Sequence, residues 1–205
     1  MNTATATKDS VSSLPPAAQA LAPQRRVSLV EKFANRFHID PDKLLGTLKA
    51  TCFRQSQGEI SNEQMASMLI VADQYQLNPF TREIFAFPDR NNGIVPVVSV
   101  DGWARIVNEH AQFNGVTLEV IGDGPTTWEC KATMYRRDRE HPTVITEYFA
   151  EVKRDTAPWK SHPRRMLRHK AFIQCARVAF GFAGIYDEDE AERIIEGQII
   201  ERGGA

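Results

Sequence analysis

Apolar residues recur at helical spacing in the first third of the chain. Leu29, Val30, Phe33 and Phe37 fall on one side of a helix predicted over residues 27–37. Asp40-Pro41 reads as the next helix start, because Asp caps and Pro suits a first position whose N–H has no partner. That helix carries Leu44, Leu45 and Leu48 as far as Cys52. Ser61-Asn62-Glu63-Gln64 is a capping box for a third helix reaching Gln76, and Asn78-Pro79 closes the helical region.

The period then changes to two. Residues 82–87 and 94–100 read as an antiparallel hairpin around Asp89-Arg90-Asn91-Asn92-Gly93, and Pro96 marks its second strand as an edge or a bulge. Asp101 is the expected cap of a short helix over 102–109. Strands follow at 116–121, 128–135 and 144–152, with turns at Gly122-Asp123-Gly124-Pro125 and at 138–142. A loop over 154–163 leads into a long helix over 164–182, bracketed at its end by Gly181 and Gly184, and a last helix starts at Asp187. This order predicts an α+β fold in which an antiparallel β-hairpin and a three-stranded meander pack with helices.

Residues 1–26, rich in Ala, Thr, Ser and Pro and poor in large apolar groups, read as a flexible tail. The remainder reads as one domain over 27–202 with a short end at 203–205. A hydrophobic share of 42% is too high for a disordered chain, and no run approaches the ~20 apolar residues of a membrane span. The start of the chain lacks the apolar core of a secretory signal. Cys52, Cys130 and Cys175 are far apart and form no C-x-x-C, as expected of reduced thiols in a cytoplasmic protein.

A net charge of −1 hides a local asymmetry. Residues 153–177 hold eight Lys and Arg against Asp155 alone, a block of +7, whereas 187–202 hold seven acids against two Arg, a block of −5. Such a pair of blocks points to a polyanion site beside a shielding or docking element. Lys170, Gln174 and Arg177 lie on one stripe of the long helix, with Leu167, Ala171 and Val178 on an apolar stripe beside it. Lys170 and Arg177 are therefore expected phosphate contacts, removable without harm to the fold. Trp159 is either a ring that stacks on a base or a core anchor closing the loop before the helix. Arg82 and Arg90 punctuate the hairpin, and Arg54 lies in a polar loop.

Enzyme motifs are sparse. No phosphate-binding P-loop, G-x-S-x-G or H-E-x-x-H occurs. Glu129-Cys130-Lys131 places an acid and a cation on one face of a strand, and with Asp101 or Asp123 it permits a metal-dependent nuclease. Glu151-Val152-Lys153 repeats the same short pattern, which a surface ion pair also explains. A purely architectural duplex-binding protein is a third reading.

Longer motifs decide among these. Residues 77–88, beginning Leu77-Asn78-Pro79-Phe80, resemble the Redβ (Bet) branch of the RecT family of phage single-strand annealing proteins. So do Val100-Asp101-Gly102-Trp103, Ser161-His162-Pro163, Arg165-Met166-Leu167-Arg168-His169-Lys170-Ala171 and Phe180-Gly181-Phe182-Ala183-Gly184. The resemblance runs from Asp40 to Ile195. It implies ATP-independent annealing by a homo-oligomer, a ring or a helical filament, holding single-stranded DNA and then the annealed duplex in a positive groove. At matching positions it implies that Arg54, Arg82, Arg90, Arg154, Trp159, His162, Arg164, Arg165, Lys170 and Arg177 face DNA. It implies no catalytic residue, no metal site and no cofactor, with Mg²⁺ aiding only by screening the DNA. A phage or prophage protein of the bacterial host cytoplasm is expected. The branch binds a companion phage exonuclease and the host single-strand-binding protein through a C-terminal domain, which these 205 residues do not reach.

Overall fold

The computed structural model describes residues 27–53, 59–89 and 93–203. The expectations for the tail at 1–26, for Arg54 and for Arg90 lie outside them. Three capped helices open the fold. In α1 (Leu29–Phe37) Ser28 and Glu31 form a capping box, in α2 (Pro41–Cys52) Asp40 accepts from the Asp42 N–H, and in α3 (Asn62–Gln74) Ser61 and Gln64 form the predicted box. Each such cap contributes about 1 kcal/mol. Phe33, Leu44, Leu48, Met65 and Leu69 go into the main core.

Strands β1 (Ile84–Pro88) and β2 (Ile94–Val98) form the hairpin, with Ala86 opposite Pro96. They make a two-stranded sheet, so Pro96 sits on an edge, where its carbonyl accepts from the Tyr186 N–H. The next helix, α4 (Val100–Glu109), is capped by Ser99 rather than Asp101, the Ser99 hydroxyl accepting from the Gly102 N–H at 3.2 Å. Gly102 is required here, because a Cβ would lie 2.5 Å from the Glu83 carbonyl oxygen. That close approach lets Trp103 enter the core completely.

The meander consists of β3 (Phe113–Ile121), β4 (Glu129–Arg136) and β5 (Thr143–Tyr148), in that order and antiparallel. The third strand is shorter than its alternation predicts. The chain turns at Tyr148 into α5 (Phe149–Val152), which places the Phe149 ring between Trp128 and Trp159, at 5.5 and 5.8 Å between centroids. A short α6 (Ala157–Ser161) interrupts the expected loop. The long α7 (Pro163–Phe180) packs on all three meander strands, with Leu167, Ala171 and Cys175 buried alongside Cys130, Ala132 and Met134. Val178 does not join that apolar stripe and is 60% exposed. Gly181, at φ 74°, ends the helix. The chain then returns as α8 (Glu188–Gly203), capped by Asp187, and seats Ala191, Ile194 and Ile195 against Phe85, Phe87, Val95 and Val97. Among the described residues no helix is long and apolar enough to cross a membrane.

Candidate nucleic-acid interface

The stripe predicted on α7 exists, and α8 answers it. Lys170 donates to Asp187 Oδ1 at 2.5 Å and lies 3.3 Å from Asp189 Oδ2. One turn on, Gln174 donates to Glu190 at 2.7 Å, and Arg177 reaches both Glu190 oxygens at 2.9 and 3.0 Å. Ahead of α7, Arg154 grips Glu196 with two nitrogens at 2.8 and 3.2 Å and reaches Glu192 at 3.4 Å. The adjacent blocks of opposite charge are thus matched side chain to side chain within one protomer.

Burial divides these pairs into an inner and an outer set. Lys170, Asp187 and Asp189 are all buried, whereas Arg177, Glu190, Arg154 and Glu192 keep partial access to water and Glu196 is 57% exposed. Trp159 belongs with the inner set. Its ring is 3% exposed and its Nε1–H donates to Asp189 Oδ2 at 3.0 Å, so in this conformation it is the core anchor of the two readings.

The opposite end of α7 is open. His162, Arg164, Arg165 and Arg168 are exposed on its first turns. The Arg164 guanidinium sits 4.6 Å from the centre of the Trp128 ring, a cation–π contact that holds the side chain without taking away its charge. A cleft of about 460 Å³ runs between this end, the β2–α4 junction and the start of α8. His162, Arg165 and His169 line one wall, and Asp187, Glu188 and Glu192 the other. Burial, with Arg165 and Arg168 nearby, lowers the His169 pKa, and Arg165 is the arginine of that wall. On the other wall, burial first and then Glu188, Asp189 and Glu196 push the Glu192 carboxyl up, against the pull of Arg154.

Arg82 stands apart from this cleft. It is exposed, adopts a left-handed backbone with φ 59°, and lies near Cys52 at the end of α2. The motif around it is architectural. Asn78 Oδ1 accepts from the Phe80 N–H, and Glu83 accepts from the Asn78 N–H and pairs with Arg105 at 2.7 Å. The nuclease constellation does not assemble into a metal cluster among the described residues. Glu129 and Lys131 do share the solvent face of β4, but Lys131 lies opposite Glu119 of β3. Sequence reasoning marked the acidic block but not Asp187, Asp189, Glu190, Glu192 and Glu196 as individual partners, and the sign change between the two blocks was the available signal.

The structure is thus an α+β protein in which a cationic helix lies across an antiparallel meander, its first turns exposed and its later cations matched by carboxylates of α8. A sequence model of the RecT family matches residues 43–201. Recombination protein bet of Escherichia phage lambda is 52% identical over 182 residues, spanning 82% of this chain and 67% of that protein. The chain belongs to the RecT family. Membership makes it a single-strand annealing protein of recombination and not an enzyme, and leaves the nuclease alternative without support.

Proposed function

We propose that the chain lays a single DNA strand along the α7 face and offers its bases to a complementary strand, without ATP. The observation that carries this reading is the cationic start of α7, where His162, Arg164, Arg165 and Arg168 are all exposed and His162 and Arg165 line an open cleft. Phosphates spaced along a strand need several cations on a rigid element, and neutralising them releases counterions. Pairing is then judged by duplex stability rather than by side-chain readout of base edges. Arg154 and Arg177 extend the same row, Arg82 supplies a contact outside the cleft, and Arg54 and Arg90 supply further ones. Trp159 and Lys170 support the row from beneath.

The active form is a homo-oligomer, a ring or a helical filament, that joins these rows into one track for the strand and for the new duplex. Mg²⁺ acts by screening the two strands and needs no protein site. The bacterial host cytoplasm is the place of action, and a phage exonuclease and the host single-strand-binding protein are the companions this activity calls for. Labelled complementary oligonucleotides, incubated with the protein without nucleotide and with or without Mg²⁺, test the core of the reading. Duplex formation is the expected result. Shortened products, or binding only to preformed duplex, would overturn it.

A further inference from the structure

We propose that α8 is an autoinhibitory arm, whose Glu190, Glu192 and Glu196 hold in the free protein the guanidinium groups that a strand's phosphates take over on binding. The inference rests on the reading of α7 as the strand-binding face. Its basis is the set of outer ion pairs. Arg177 meets the two oxygens of Glu190 through one nitrogen, and Arg154 meets Glu196 as a fork of two nitrogens on two oxygens. A guanidinium presents the same fork of donors to a carboxylate and to a phosphate, so either anion satisfies it in the same geometry.

The arm does not need to leave. Ala191, Ile194 and Ile195 fix it to the hairpin, and the buried Lys170, Asp187 and Asp189 cluster fixes its start. Only the outer side chains have to swing away, and they are the ones already in partial contact with water. Glu192 is held against its own neighbours, because Glu188, Asp189 and Glu196 crowd it with like charge. An isolated phosphate must compete with a tethered carboxylate and gains little. A run of adjacent phosphates displaces several carboxylates together and so outcompetes the arm. Empty grooves are thereby kept from stray anions.

Glu192→Gln with Glu196→Gln removes the arm's hold on Arg154, and Asp123→Asn with Glu140→Gln removes the same charge from the exposed turns of the meander. Binding of a labelled 30-nucleotide single strand is followed by fluorescence anisotropy at fixed ionic strength, with thermal melting to check folding. The arm variant is expected to bind about three- to ten-fold more tightly, and the meander variant to match the wild type. In an Arg154→Ala background the gain is expected to vanish, since the two sites then have nothing to share. Equal affinity of arm variant and wild type, or an equal gain in the meander variant, would overturn the arm while leaving the annealing reading intact. A wild-type protein that neither binds nor anneals single strands would overturn the annealing reading itself.

Discussion

Lys170 Nζ lies 2.5 Å from Asp187 Oδ1, with about a tenth of each side chain exposed. The pair joins the middle of α7 to the cap of α8, and Asp189 and Trp159 complete it. Taking charges out of water is costly, and that cost is offset only while both signs are present. Lys170→Ala would strand two buried carboxylates, and the expected loss is about 3–5 kcal/mol of stability. Arg177→Ala, on the partly exposed rim, is expected to cost about 1 kcal/mol or less. Urea denaturation of both variants checks this. Equal, small losses would show that the Lys170 cluster does not hold the helices together. The expectation that Lys170 could be removed without harm to the fold is revised accordingly, and lost DNA binding in Lys170→Ala is no proof of a lost contact.

The exposed end of α7 gives a cleaner probe of DNA contact. Arg165→Ala removes a charge from the cleft wall without breaking a buried pair. Single-strand affinity should fall, and the slope of log affinity against log salt should decrease by roughly 0.7 for the lost phosphate contact. The melting temperature should stay within error of the wild type. An unchanged salt slope would remove Arg165 from the row.

Local chemistry made much of this fold legible. The Ser61 and Gln64 capping box, the hairpin around 89–93 and the three meander strands needed only spacing and turn residues. Errors arose where tertiary contacts override local signals. Alternation continues past Tyr148, yet the chain leaves the sheet where Phe149 finds Trp128 and Trp159. Asp101 has a capping side chain, but Ser99 stands one residue before the observed helix and takes the role. The site was legible as two charged blocks. Which acid meets which cation depends on how the turn at Gly181–Gly184 aims α8 back along α7, and no propensity encodes that direction.

Glu129 offers a test of the chemistry the family membership leaves out. Its side chain lies on the solvent face of β4, away from the α7 cleft. Glu129→Ala is expected to keep annealing activity and to lack any change in Mg²⁺-dependent cleavage, measured on labelled single strands by gel. A cleavage activity present in the wild type and absent from this variant would bring the nuclease reading back.

The carboxyl of Glu147 titrates above its ordinary value of 4.5, chiefly because it is half-buried, with Lys170 opposing and Glu151, Glu190 and Asp187 reinforcing the shift. The folded protein therefore holds this proton more tightly than the unfolded chain does. The resulting stability is fully present below the unfolded value and is lost as pH rises through the higher folded one. Glu147→Gln removes that dependence. Relative to wild type the variant should gain stability at about pH 7.5 and gain none at about pH 4, as read by urea denaturation at both. A constant difference at the two pH values would mean that Glu147 does not titrate in this way.

Assembly should be coupled to DNA and carried by the described domain. On the proposed reading one α7 row would cover only a few phosphates, too few to keep a strand extended while a second strand tests it. Neighbouring protomers must align their rows, and a head-to-tail interface is the kind that produces rings or open helices. The meander leaves surface for such a contact. Ile121, Tyr135, Val144 and Tyr148 are between 42% and 50% exposed on it, and among the described residues its outer strands β3 and β5 each pair with β4 alone. Light scattering without DNA, with one strand, and with both strands added in turn tests the coupling. The largest and most stable particles are expected with both strands, since a duplex presents two backbones for counterion release. Tyr148→Lys with Val144→Lys should reduce particle mass at unchanged melting temperature, because both positions face water in the protomer. A protein that anneals while remaining monomeric in all three conditions would sink the assembly model.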